Sequence, residues 1–568
     1  MPNVEQEVRT NGSARPWGED GTIAPDGDIR RLLIACVAVM VASHLTWWAI
    51  KQVTRFYNHD VAWFVEAGAR LLAGGSIPEQ VFDPNPPLIF WLMMPMAQLA
   101  GWLGLPPLLV MDIITLAAIV GSCLAVYALT KSWKADSWSL GHAVILMAFA
   151  GLTHGIHDPY SQRDHLIAVL LLPYLVSVGL QASGHIVPAA WRVGLAVAAA
   201  LAIALRPHYA LVWVVAEAYR CILGEGSQPA IWRFRENRVI VALGTAYLAA
   251  AVVFASGWIE RLPMIARLYA AYEDRFPWFQ PSGVVLLVVA GLCFLRSCTG
   301  APLHVARVLS LASLCAYAIV GVQAKNWFYH HIPSRAFAFV AVAFSLSHLA
   351  ARLGQAIRAP RLLPAVGPCA VAAIVALSTA GGSALHASSL LQPRPPGASE
   401  RLSAIFTRYA GAGPVLVMTT AVRPAFPTVA LAGTRHASRF SCFWFVPGLY
   451  RGARVERGHL RYHAPDRQGP MERYFVEAAV EDFQRLRPAV VVNDVRGRLD
   501  FLGETGFDFL GYFRQEPAFR SEFDAFRYLH RIGGYDVYVR DGESGARGAS
   551  RAKGVTGRAL SSHSPGRR

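Results

Sequence analysis

The sequence predicts a polytopic α-helical membrane protein of about 11 spans carrying a C-terminal α/β domain. Three observations lead there. The 568 residues are 54% hydrophobic and only 16% charged, against about 25% charged residues in soluble domains. The apolar residues gather in runs separated by short basic connectors. Beyond Gly381 that pattern gives way to short β-branched runs alternating with amphipathic stretches.

Residues 1–29, polar and rich in Gly and Pro, are expected to form a disordered cytoplasmic N-terminus. The run 32–50 continues through Trp47 and Trp48 and reads as an uncleaved anchor rather than a signal peptide. It opens a membrane region, 30–381, in which residues 51–106 form a first outer loop. That loop holds an amphipathic helix starting near Asp60 and an apolar stretch, Leu88 to Gly104, interrupted by Pro95. The second stretch is expected to be re-entrant or interfacial. Further spans are expected at 107–130, 142–155, 166–181, 192–205, 208–221, 238–256, 282–295, 307–322, 335–350 and 362–380. A linker is read at 382–400, an α/β domain at 401–541 and a disordered basic tail at 542–568. Within the α/β domain, strands are expected at 414–418, 489–494 and 535–540, and helices at 471–485 and 516–532.

Charge sets the orientation, because Lys and Arg favour cytoplasmic connectors. With the N-terminus inside, the inner connectors hold Lys131, Lys134, Arg192, Arg220, Arg233, Arg235 and Arg238, then Arg296, Arg307, Arg352, Arg358 and Arg361. The outer side receives fewer, and the α/β domain falls outside. This parity requires that Leu88 to Gly104 begin and end on the outer side. The net charge of +16 lies largely in connectors and the tail, a pattern suited to membrane lipids. No basic stripe interleaved with aromatics points to nucleic acid, and the eight cysteines show neither a disulfide framework nor zinc spacing.

The polar motifs then gather on the outer side: Asn58-His59-Asp60, Asp83-Pro84-Asn85, Gln162-Arg163-Asp164-His165, Arg206-Pro207-His208-Tyr209, and Lys325 to His331. Charge at the end of an apolar run is costly unless paired or functional. A carboxylate can deprotonate a hydroxyl, while cationic and His donors stabilise a departing phosphate. Structural roles compete with these. Asp60 suits a helix N-cap and Asn85 a cap before Pro86. Asp83 suits a solvated loop, Arg163 and Asp164 a local ion pair, and Arg206 a snorkelling side chain. The His330-His331 pair invites a divalent metal, but neighbours in sequence point apart, and no metal ligand is assigned.

An early acid in the first outer loop, an amphipathic helix and the Asn85-Pro86-Pro87-Leu88 return together resemble the GT-C superfamily of membrane glycosyltransferases. The likeness is strongest to bacterial relatives of protein O-mannosyltransferases and aminoarabinose lipid A transferases. The Gln162 to Leu166, Arg206 to Tyr209 and Lys325 to His330 segments resemble motifs of that group, as does Ala437-Ser-Arg439-Phe440 with Trp444. The resemblance covers roughly residues 30–540. It departs at Val61, where protein mannosyltransferases carry Glu, and at Asn85, where many relatives carry His. It implies a GT-C fold, a polyprenyl-phosphate sugar donor, an envelope glycan or lipid acceptor, inversion, and Asp60 as catalytic base in a bacterial inner membrane. Donor phosphate contacts fall to Arg163, Arg206, His208, Lys325, Tyr329 and His330. Acceptor or pocket contacts fall to Asp83, Asn85, Asp164, His165, Arg439 and Trp444. The competing readings are a transporter or flippase of a lipid-linked precursor and a catalytically dead scaffold; clustering of polar motifs at one face, without repeats, favours the enzyme.

Overall fold

The computed structural model describes residues 26–131, 138–224, 231–272, 291, 301–325, 327–356, 363–503 and 505–541. The expected N-terminal and C-terminal tails lie outside these, apart from residues 26–29, and so does nearly all of the expected span 282–295.

Helices form where the apolar runs predict them: α1 (Asp26–Val53), α2 (His59–Leu72), α3 (Leu88–Leu103), α4 (Pro107–Thr130), α5 (Trp138–Thr153) and α6 (Arg163–Ala182). They continue with α7 (Ala189–Leu205), α8 (Ala210–Leu223), α9 (Arg235–Phe254), α10 (Ala301–Gln323), α11 (Ile332–Ala356) and α12 (Leu363–Leu391). Among the described residues six are long and apolar enough to cross a membrane, all within α1, α4, α6, α9, α10 and α12. The protein is therefore a multi-pass membrane protein. Helix α6 is its central post, packed by α4, α7, α8, α10 and α11. Peripheral α9 instead turns Val241, Leu248, Val252, Val253 and Phe254 outward, an apolar surface suited to lipid rather than water.

Helix α2 starts where the Asn58 side chain accepts from the backbone N–H groups of Asp60 and Val61. Asn58, not Asp60, is thus the cap, which leaves the Asp60 carboxylate available. The helix buries Val61, Trp63, Phe64, Val65 and Leu71. It meets α3 so closely at Gly68 that a Cβ there would lie 2.7 Å from the Met93 carbonyl carbon. Helix α3 has 16 residues, about 24 Å at 1.5 Å per residue, short of the ~30 Å hydrocarbon core. It contains Pro95 and ends at Gly104, whose φ of 64° is the left-handed conformation that glycine adopts without penalty. Asn85 does not cap it: Pro87 holds that position, and the Asn85 N–H donates to Asp83 Oδ1.

Helix α12 continues through residues 382–391, most of the expected linker, leaving a connector only from 392 to 397. The C-terminal domain is a five-stranded sheet in the order β2-β1-β5-β7-β6. Its strands are β1 (Pro414–Met418), β2 (Arg435–His436), β5 (Val490–Asp494), β6 (Phe526–Ile532) and β7 (Tyr535–Arg540), with a separate β3–β4 ribbon at 455–456 and 459–460. The parallel β2-β1-β5 half is completed by antiparallel β7 and β6. Helix α13 (Pro470–Leu486) forms as expected. The stretch 516–532 does not stay helical. Its helix ends at Phe523, and β6 pairs with β7 across Gly533-Gly534, a two-residue hairpin signal.

The domain is clamped to the membrane half by the far end of α2. Arg70 donates to the carbonyls of Ser438 and His436, both at 2.6 Å, and pairs with Glu66, which accepts the His436 N–H at 2.8 Å. Phe82 N–H donates to the Arg439 carbonyl at 2.8 Å, and Arg423 pairs with Asp158 at 2.9 Å.

Candidate active site

Between the membrane half and the α/β domain lies a cavity of about 520 Å³, within the ~300–1,000 Å³ of typical small-molecule sites. Its membrane side is formed by Asp60, Asp83, Asn85, Arg163, Tyr269, Trp327 and Tyr329, and its outer side by Thr420, Trp444, Asp500 and Phe501. A second space of about 140 Å³ is lined by Arg206, His208, Lys325 and His330. Asn85, Arg163, Tyr269 and Trp327 border both, so the two spaces adjoin.

Asp60 sits in the first turn of α2. Its Oδ2 accepts from Gln162 Nε2 at 2.6 Å, and its Oδ1 lies 3.6 Å from His59 Nε2. Gln162 reaches it from a turn in which Ser161 adopts a φ of 68° and donates to Asp112 Oδ1 at 2.8 Å. Asp112 is in turn held by Lys51 and by Gln52. A buried network spanning α1 and α4 thereby fixes the amide that orients the acid.

Asp83 is not the solvated loop acid that its position suggests. It is buried, with Oδ2 accepting from Trp63 Nε1 at 2.8 Å and Oδ1 from the Asn85 N–H at 2.9 Å. Burial pushes its carboxyl up to about 6. Tyr329 also lines the larger cavity; burial, reinforced by the nearby Asp60 charge, holds its phenol well above the ordinary range, so it remains an O–H donor.

The cationic end is built from three chain segments. The Arg163 guanidinium lies 5.3 Å from the Phe64 ring, and its Nε has no partner among the described residues. Arg206 pairs with Asp164 at 3.1 Å and donates to Gln323 Oε1 at 3.1 Å and His330 Nε2 at 2.9 Å. Arginine only donates, so His330 Nε2 accepts and its Nδ1–H faces the Lys325 carbonyl at 3.1 Å. Burial and Arg206 together hold the His330 imidazole well below its usual range. His330 is thus a neutral residue steadying Arg206 rather than a cation. Lys325 Nζ stands 3.9 Å from the Tyr269 ring centroid, and His208 receives a hydrogen bond from Gln323 Nε2 at 3.0 Å.

The structure therefore brings Asp60, Asp83, Asn85, Arg163, Tyr329 and Trp444 around one cavity and Arg206, His208, Lys325 and His330 around its neighbour. Three expected residues fall elsewhere. Asp164 lines neither space and is paired with Arg206 rather than with its neighbour Arg163. His165 turns away to the Leu152 carbonyl at 2.9 Å. Arg439 is consumed inside the α/β domain by Asp482 and Glu481, at 3.0 Å and 2.6 Å, because its strand-to-loop position faces α13. The sequence motif that contains Arg163 includes Gln162 without giving it a role, and Trp63, Tyr269, Thr420, Asp500 and Phe501 carry no site assignment from sequence. Among the described residues no group of three His, Cys, Asp or Glu side chains could hold a metal ion.

No protein-family model matches the chain, and no curated protein matches it. Two cryo-EM structures of the mycobacterial arabinofuranosyltransferase AftD, one of them a point mutant, are similar to it over 90% and 91% of its length, at 14% and 13% identity and a TM-score of 0.44 each. The aligned regions make up 41% and 40% of those chains, so this chain spans about two fifths of the length of the structures it resembles.

Proposed function

We propose that this protein is a membrane glycosyltransferase of GT-C type that moves a sugar from a polyprenyl-phosphate donor to a hydroxyl of an envelope glycan or lipid. The reading rests on one observation: Arg163 lines both the larger cavity, which holds Asp60, and the smaller one, which holds Arg206 and Lys325. In this reading Asp60 takes the proton of the acceptor hydroxyl, and that oxygen attacks the anomeric carbon. The bond from that carbon to the phosphate oxygen breaks, with inversion. The phosphate departs toward Arg163, Arg206 and Lys325, whose positive charge offsets the charge it gains. Gln162 orients Asp60, and Tyr329 offers an O–H to the sugar or phosphate.

The excess of Lys and Arg on one set of connectors supports a topology of about 11 spans with the α/β domain on the periplasmic side of a bacterial inner membrane. Helix α3 then returns to the side from which it enters. The decisive experiment compares wild type with Asp60→Asn in proteoliposomes supplied with a panel of labelled polyprenyl-phosphate sugars and envelope extract. Transfer by the variant is expected to fall about 10²–10⁴-fold, the usual loss of a general base. Equal turnover in the two proteins would remove Asp60 from the mechanism.

A further inference from the structure

The outer wall of the larger cavity contains a side chain that the scheme above leaves without work. Phe501 is 46% exposed and has a φ of 67°, a left-handed conformation that a bulky residue rarely adopts. Its loop is nevertheless well anchored. The Asp500 carbonyl accepts from Thr420 Oγ1 at 2.8 Å, the Asp500 carboxylate pairs with Arg496 at 3.1 Å, and the Leu499 N–H donates to the Thr505 carbonyl at 3.1 Å. A strained backbone persists only when its surroundings over-determine it, and such positions concentrate at ligand sites.

What this strain achieves is an aromatic ring held at the cavity wall instead of in the domain core. The Phe501 ring centroid lies 4.5 Å from that of Tyr272 and 6.1 Å from that of Trp327, so one aromatic from the outer domain completes a corner begun by two from the membrane half. Polar groups stand beside it. Thr420 and Asp500 line the same cavity, as does Trp444, whose buried indole N–H has no partner among the described residues. A greasy tail would need no such donors. An aromatic face next to hydroxyl, carboxylate and N–H groups suits a sugar ring, which has apolar C–H faces and a polar rim. Phe501, Asp500, Thr420 and Trp444 line the larger cavity and not the smaller, arginine-lined space, where the donor phosphate would sit.

We infer that the loop around Phe501 is the acceptor subsite, with Phe501 the platform on which a carbohydrate acceptor stacks so that its hydroxyl faces Asp60. The inference rests on the glycosyltransferase reading and adds which domain selects the acceptor and by what chemistry: a glycan ring, not a lipid tail. The test uses the full chain in proteoliposomes and measures KM separately for the polyprenyl-phosphate sugar and for envelope glycan. Phe501→Ala is expected to raise the acceptor KM about ten-fold, the scale of one aromatic contact, with the donor KM unchanged. Phe501→Gly, which suits the left-handed backbone, should show the same KM shift without loss of thermal stability, and Phe501→Trp should retain acceptor affinity. An unchanged acceptor KM in both truncations, or a rise in donor KM instead, would overturn the inference while leaving the enzyme assignment intact. Absence of any transfer by the wild type would overturn the enzyme assignment and this inference with it.

Discussion

The contact between α2 and α3 makes the position of Asp60 depend on a missing methyl group. In Gly68→Ala, the new Cβ would lie 2.7 Å from the Met93 carbonyl carbon and 3.0 Å from its Cα, both backbone atoms that no rotamer change can move. Restoring ordinary carbon contact at ~3.5 Å requires α2 to move off α3 by roughly 1 Å. Alanine gains ~1 kcal/mol over glycine in a helix interior, while overpacking costs ~1–3 kcal/mol or more when backbone must shift. The clash involves backbone on both sides and wins, and net destabilisation of up to about 2 kcal/mol follows. Because α2 carries Asp60 two turns away, the same shift moves the acid relative to Gln162, and a ~1 Å error in a reacting group can cost about 10²-fold in rate. Gly101→Ala is the internal control, since no described residue lies within 4 Å of its added Cβ. Thermal unfolding of both variants in detergent and sugar transfer in proteoliposomes would be compared with wild type. Gly68→Ala with wild-type rate and Tm, or the same losses in Gly101→Ala, would refute the link between this packing and the acid's position.

Two further outcomes are expected. Asp83 has a folded-state pKa of about 6, above its unfolded value, so its protonated form stabilises the fold at low pH and that contribution is lost as pH rises through about 6. Melting curves of wild type and Asp83→Asn between pH 4 and 7 should therefore diverge, wild type losing Tm relative to the variant as pH rises; parallel curves would show that Asp83 does not titrate in that window. Arg70→Ala strips charged donors from the Ser438 and His436 carbonyls and a cation from Glu66. It should cost about 2–4 kcal/mol and expose the 392–397 connector to limited proteolysis, and an unchanged cleavage rate would show that the clamp is dispensable.

The membrane half was readable in the sequence because apolar runs make every charge within them conspicuous: Asp60, Arg163, Arg206 and Lys325 stand out for that reason alone. Their assembly into adjoining spaces depends on contacts between segments from about 40 to more than a hundred residues apart, which periodicity does not encode. Local competition explains the misplaced caps, since Asn58 and Asp60 both suit an N-cap and only backbone geometry decides between them. Arg439 looked functional because its motif resembles one in the GT-C group; its partners on α13 are 42 and 43 residues away. The 516–532 stretch divides because pairing with β7 outweighs weak helical periodicity after Phe523. Phe501 carried no sequence signal at all, for its significance lies in a backbone angle and in two aromatic rings contributed by the other half of the chain.

The chamber has two owners. One set of walls is rooted in helices and the other hangs from a sheet, so cutting the chain at the short connector would strip away the outer wall and leave an open trough flooded by bulk water. Neither portion by itself would be a smaller version of the whole. Grafting a different outer domain onto the same helices would keep the acid and the arginines in place but replace the lid they work under, and with it the choice of molecule admitted.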